Sequence, residues 1–203
     1  EVYGKATKFP FSEDDDLTIG ATKNLRWSYA CAKTLDEFLA LAYAREAALP
    51  VVVLRFFNTT GPRQTGRYGM VLPNFVQNAL AGKPLMVHGS GAQSRCFGHV
   101  YDVVEALMRL MATPEAFGQV YNIGTDQEVT IRSLAEQVIA ATGSASEIQL
   151  IPYSDVYPEG FEDMNRRLPD VSKLEQAVGF RPMRTLAQII DDIIAEKQAT
   201  GLN

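Results

Sequence analysis

Apolar side chains change their period several times along the chain, and each change marks an element. Residues 5–25 are polar and turn-rich, and the acidic run Glu13-Asp14-Asp15-Asp16 within them reads as a solvated surface loop. Over residues 26–48 the spacing becomes helical, with Trp27, Cys31, Leu35, Phe38, Leu39 and Ala42 recurring every three or four positions until Pro50 ends the run. Cys31 falls on that apolar face and is expected there as a buried thiol rather than a nucleophile. Residues 51–57 then form a continuous apolar run broken only by Arg55, the pattern of a strand covered on both faces in a parallel sheet.

A turn at Gly61-Pro62-Arg63 and a loop through Gly66 and Gly69 lead into a predicted helix over residues 71–80 and a short strand over 84–88, ahead of Gly89-Ser90-Gly91. Asp102 with Glu105 predicts a capping box for a helix that ends near Thr113-Pro114. Residues 120–123 and 149–152 read as short strands. Between them Thr130 caps a helix, with Val129 and Leu134 spaced as a hydrophobic staple. Asp170 opens a short helix closed by Gly179. Thr185 with Gln188 opens a last one, whose Leu186, Ile189, Ile190, Ile193 and Ile194 share a face. Strands alternating with helices predict an α/β fold, without an internal repeat.

Composition narrows the partners more than the fold. At 46% apolar and 21% charged the 203 residues are ordinary globular material, enough for one domain or one and a half. The 24 acidic against 19 basic side chains leave −5, a field that opposes nucleic acid and anionic lipid. No apolar run approaches the roughly 20 residues of a membrane span, and no leader pattern is present, so a soluble, cytoplasmic protein is expected. Cys31, Cys96, His88 and His99 are too few and too scattered for a disulfide framework or a transition-metal site. The opening Glu1-Val2-Tyr3-Gly4 reads as a strand end running into a loop, which suggests a piece of a longer chain.

Tyr29 and Lys33 carry the first sign of chemistry. Four residues apart on a helix, they project from one face about one turn from each other. An ammonium beside a phenol favours the phenolate and makes the tyrosine a usable general base. By itself this spacing is common to many amphipathic helices.

The pair keeps informative company: Arg55-Phe56-Phe57-Asn58, Gly61-Pro62-Arg63, Gly89-Ser90-Gly91, then Gln93, Arg95, Phe97, Val100 and Asp102, in that order. The series resembles the extended short-chain dehydrogenase/reductase family, specifically its NAD-dependent nucleotide-sugar epimerases, dehydratases and decarboxylases, over nearly all of the chain. The resemblance implies that Tyr29 takes a proton from a sugar hydroxyl while NAD accepts hydride from the same carbon. Lys33 then holds the nicotinamide ribose, with Phe57 at the same end. Glu1 resembles the acid/base glutamate of the dehydratases and decarboxylases. On the substrate side, Asn58 matches a residue that bonds the sugar or phosphate, and Arg95 one that grips the diphosphate. Leu85 and Val87 match a strand whose backbone flanks the base, Leu72 the helix start beside it, and Arg167 an arginine that reaches back to the sugar diphosphate.

The same family opens with a Gly-x-x-Gly-x-x-Gly turn that cradles the dinucleotide pyrophosphate, and no such motif occurs in these 203 residues. The resemblance therefore implies the C-terminal part of a Rossmann-type doubly wound fold plus a small α/β substrate-binding lobe. Residues 1–70 would hold the catalytic helix and strand, and 71–203 mainly the lobe, with 95–125 returning to the sheet. Negligible NAD binding is expected of the chain alone. The expected substrate is a UDP-sugar, epimerised at C4 through a transient ketone, with decarboxylation of UDP-glucuronate as the alternative and a non-catalytic nucleotide-sugar binding module as the rival of another class. A homodimer, built as in relatives through the helix of Tyr29 and Lys33, or association with a separate N-terminal portion, is expected to cover the strand at 51–57.

Overall fold

In the computed structural model, residues 1–66, 70–157, 162, 164 and 166–201 are described; Gly69 lies outside them. Helix α1 runs Arg26–Glu46, followed by strand β1 (Val52–Phe56) and, after one residue, β2 (Asn58–Thr60). Then come α2 (Val71–Leu80), β3 (Leu85–His88), β4 (Ser94–His99) and α3 (Val100–Met111). The chain continues through β5 (Gln119–Ile123), β6 (Glu128–Thr130), α4 (Ile131–Thr142), β7 (Ile148–Ile151), α5 (Tyr153–Val156), α6 (Ser172–Val178) and α7 (Leu186–Thr200). The α/β fold read from the alternation is the one observed.

Two bodies of packing result. In the first, β1 pairs in parallel with β5, Leu54 opposite Tyr121, and the helices α3 and α6 cover them through Val103, Ala106, Leu110 and Leu174. In the second, α2, α4 and α7 pack over β3, which pairs in parallel with β7; Leu72, Val76, Leu85, Val87, Leu134, Val138, Ile189 and Ile193 form its core. The bodies are joined where β2 pairs with β4 and β4 with β6. β2 continues directly from β1, and β4 runs straight into α3.

Helix ends follow the sequence in most cases. Thr130 Oγ1 accepts from the Ser133 N–H at 3.1 Å, Thr185 and Gln188 form the full capping box, and Gly179 closes α6 at a left-handed φ of 59°. Asp102 is a correction. α3 starts earlier, capped by His99, whose ring accepts from the Tyr101 N–H. The buried Asp102 carboxylate instead accepts from the N–H groups of Met183 and Arg184 and pairs with the Arg184 side chain, tying the approach to α7 onto α3.

Two further expectations are overturned. Glu13 is no solvated charge: it is 8% exposed and its Oε1 accepts from the Asn122 N–H at 2.7 Å. α1 turns inward Ala30, Thr34, Glu37, Leu41 and Ala44, whereas Cys31, Leu35, Phe38 and Leu39 point out and are exposed. Apart from Trp27, the apolar stripe of α1 is thus not its inward face, and Cys31 is a surface thiol. β1, a strand expected to need cover from a second copy or an N-terminal portion, is only half-buried, with Phe56 52% exposed and β5 its sole sheet neighbour among the described residues.

Candidate active site

A cleft of about 1380 Å³ opens between the two bodies. It gathers side chains from segments far apart in sequence: Glu1, Tyr29 and Lys33 of α1, Phe57, Asn58, Leu72, Arg95 and Arg167. All these sequence-selected residues except Leu85 and Val87 line the one cavity. The exception follows from the pleat, since alternate strand residues face opposite ways. Leu85 and Val87 are fully buried in the core, while Met86 and His88 of the same strand line the cleft.

Tyr29 is 57% exposed at the cleft wall, and the Lys33 ammonium lies 5.9 Å from its ring centroid. Lys33 Nζ also bonds Asp36 Oδ2 at 2.6 Å, and that carboxylate raises the lysine further above its ordinary range. The lysine is therefore held protonated, about one turn from the Tyr29 phenol.

Beside them sits a group of charges. Glu1 Oε1 pairs with Arg167 Nη1 at 2.7 Å, and Glu1 Oε2 with Arg26 Nη2 at 3.3 Å. All three side chains are largely buried. Arg26 is a residue the sequence reading missed, although its position three before Tyr29 puts it on the same helical face. The late segment that brings Arg167 back also holds α1 itself: Trp27 Nε1 donates to Glu162 Oε2 at 2.8 Å, and Met164 packs on Trp27 and Ala30.

The floor is built by a buried polar hub. Asn122, fully buried on β5, accepts from the Tyr3 hydroxyl at 2.6 Å and donates to the carbonyls of Phe11 and Asp170. Burial pushes the Tyr3 phenol up to about 12, against the pull of the Arg55 cation beside it. Gly124, just past β5, lets Phe57 sit where it does: a Cβ there would lie 2.9 Å from Phe57 Cβ.

At the other end, Arg95 is 8% exposed, and its Nη1 donates to the Ser94 carbonyl at 2.7 Å. In the same cleft, His88 Nδ1 and the Tyr157 hydroxyl are 3.2 Å apart, with Tyr153 beside Tyr157. Among the described residues no group of three or more His, Cys, Asp or Glu could hold a metal ion, and no helix is long and apolar enough to cross a membrane.

Residues 1–193 match the family model described as GDP-mannose 4,6 dehydratase. A UDP-N-acetyl-alpha-D-glucosaminuronate decarboxylase of Bacillus cytotoxicus is 47% identical over 183 residues, 90% of this chain and 56% of that protein. Among solved structures, Epimerase Mth375 from Methanothermobacter thermautotrophicus superposes with a TM-score of 0.87 at 25% identity, covering 98% of this chain and 57% of that one. The dTDP-glucose 4,6-dehydratase of Bacillus anthracis, solved in complex with NAD, gives a TM-score of 0.82 at 27% identity over 100% of this chain and 62% of its own. The chain thus spans a little over half the length of the relatives it matches.

Proposed function

The chain belongs to the GDP-mannose 4,6-dehydratase family, and we propose that it carries the catalytic helix and nucleotide-sugar lobe of an enzyme that oxidises a UDP-hexuronate at C4 and releases its carboxyl group as CO2. The observation that carries this reading is the cluster of Glu1, Arg26 and Arg167 in the same cleft as Tyr29. C4 oxidation is common to 4-epimerisation, the reaction the sequence motifs put first, and to decarboxylation. What separates them is the group on C5. A guanidinium is suited to a carboxylate, and Arg26 Nη2 and Arg167 Nη1 already hold one, that of Glu1. A uronate carboxylate entering beside Tyr29 meets the same two guanidiniums. The 47% identical relative is named for a decarboxylase of this substrate class.

Tyr29 and Lys33 fit the nicotinamide-ribose end of an NAD site, while the pyrophosphate cradle is not among these residues. NAD, when bound, accepts hydride from C4 and later returns it. The Tyr29 phenolate takes the C4 hydroxyl proton. With C4 a ketone, the C5 carboxyl is a β-keto acid: the C5–C6 bond breaks, CO2 leaves, and the electron pair passes to the C4 oxygen. There the Tyr29 hydroxyl donates a hydrogen bond to the enolate, and C5 takes a proton from solvent water, relayed by the Glu1 carboxylate beside it. Arg95 holds the diphosphate, and Asn58, Met86 and His88 line the path along which the nucleotide lies.

The test uses the active enzyme that contains this chain, with NAD and UDP-N-acetylglucosaminuronate or UDP-glucuronate. Release of CO2 with a UDP-pentose product is expected. Accumulation of the 4-epimer without CO2 would return the reading to epimerase, and binding with no change in cofactor absorbance would reduce it to a binding module.

A further inference from the structure

The apolar run of β1 is broken by one cation, and the catalytic chemistry leaves that cation without a role. Arg55 is 8% exposed at its side chain and meets Glu37 of α1, itself 13% exposed, through two prongs: Nε to Oε1 at 3.0 Å and Nη2 to Oε2 at 2.8 Å. Its Nη1 donates to the Glu13 carbonyl at 3.1 Å, and its guanidinium lies 4.8 Å from the centroid of the Tyr3 ring. One side chain thus joins the helix of Tyr29 and Lys33, the strand that leads into Phe57 and Asn58, and the segment that begins with Glu1.

We propose that Arg55 and Glu37 are a positioning pair, whose two-pronged contact sets the depth and rotation of α1 and so the placement of Tyr29 and Lys33 at the cleft. The inference rests on the reading of those two as the reacting pair, and deepens it. On α1 the fully buried residues are Trp27 and Ala30, both in the first five positions. Beyond them the inward face is Thr34, Glu37, Ala40, Leu41 and Ala44, a smooth surface of mostly small residues on which a helix can slide or roll. Glu37 is the charged member of that face. It lies four residues past Lys33 and eight past Tyr29, about 6 and 12 Å along the axis. An ion pair in this place is a poor source of stability, since apolar side chains of similar volume often do as well or better. What the fork adds is a fixed distance and plane, and a misplacement of about 1 Å in a reacting group costs on the order of 100-fold in rate.

Two measurements test the pair. In the active enzyme, Glu37→Gln is expected to lower kcat at least tenfold with KM within twofold, and to move the pH–rate profile upward because Lys33 is no longer held beside Tyr29. Arg55→Lys keeps the charge but not the fork, and is expected to fall equally far. The comparison is made with whichever nucleotide sugar the enzyme turns over, so an error about the uronate leaves it intact. In the 203-residue chain, hydrogen exchange of Glu37→Gln should show α1 losing at least tenfold protection after Lys33 while α4 and α7 are unchanged. Unaltered exchange in α1, an unaltered kcat, or full rescue by Arg55→Lys overturns the proposal. Exchange raised equally in all helices also overturns it, since the pair would then serve general stability alone.

Discussion

At the scale of single residues, the phenol and the ammonium have separable duties. Tyr29→Phe in the active enzyme should leave KM nearly intact and lower kcat at least 100-fold, about the least that loss of a general base costs; steady-state kinetics decide it. Lys33→Met should move the pH–rate profile to higher pH, because the phenolate loses its cationic neighbour. Arg95→Ala should weaken UDP binding by about 1.5–3 kcal/mol, the scale of a hydrogen bond to a charged group, as calorimetry on the chain can measure. These residues were legible in the sequence because each belongs to a motif with fixed spacing. Arg26, Glu37 and Met86 were not. Arg26 and Glu37 act through partners 25 and 18 residues away, and nothing in the run of apolar residues distinguishes Met86 from Leu85 and Val87 except the pleat, which turns it to the cleft.

At the scale of elements, some features follow from one local rule and others only from their neighbours. The helix over residues 71–80, the Thr130 and Thr185 caps and the Gly179 stop rest on local rules and are observed. β2, β4 and β6 were not foreseen: three to six residues long, they exist through pairing with one another rather than through a pattern of their own. The acidic run looked solvated because charge is read residue by residue, yet Glu13 is drawn in by the Asn122 amide. That hub makes a prediction about pH. Tyr3 holds its proton to about 12 in the fold, against an ordinary 10.0. Below about pH 10 both folded and unfolded chains keep the proton, and stability is unaffected. Between about 10 and 12 the unfolded chain alone releases it, so stability falls with pH by up to about 1.4 kcal/mol per unit. Denaturation across this range should show that slope, and Tyr3→Phe should make it shallower, leaving the part due to the buried Cys96 thiol, which burial also pushes up to about 12. The same variant should cost about 1–3 kcal/mol at neutral pH, because Asn122 Oδ1 loses its donor while still buried.

On the scale of the whole molecule, two surfaces look unfinished for a solitary chain, and they make its solution behaviour predictable. The outward stripe of α1 presents Leu35, Phe38, Leu39 and Tyr43, each more than half exposed, and Phe56 on β1 adds to the apolar surface. Soluble monomers seldom leave a contiguous apolar patch of more than a few hundred Å² uncovered. The stripe is self-complementary in the simplest sense, since a two-fold axis beside α1 would pack the same four side chains of one copy on those of another and bury both at once. β1, with β5 as its neighbour among the described residues, offers a free edge as well. The Tyr29–Lys33 end of the cleft supplies one part of a dinucleotide site, so NAD alone should give no measurable heat with this chain at micromolar concentration. Association should be plain at the same concentration: light scattering is expected to report a dimer or larger species, and Phe38→Glu with Leu39→Lys to shift it to monomer without loss of helix content by circular dichroism. A monomer in the unsubstituted chain, with no binding of a dye that reports exposed apolar surface, would mean that these faces are covered in some way the described residues do not provide.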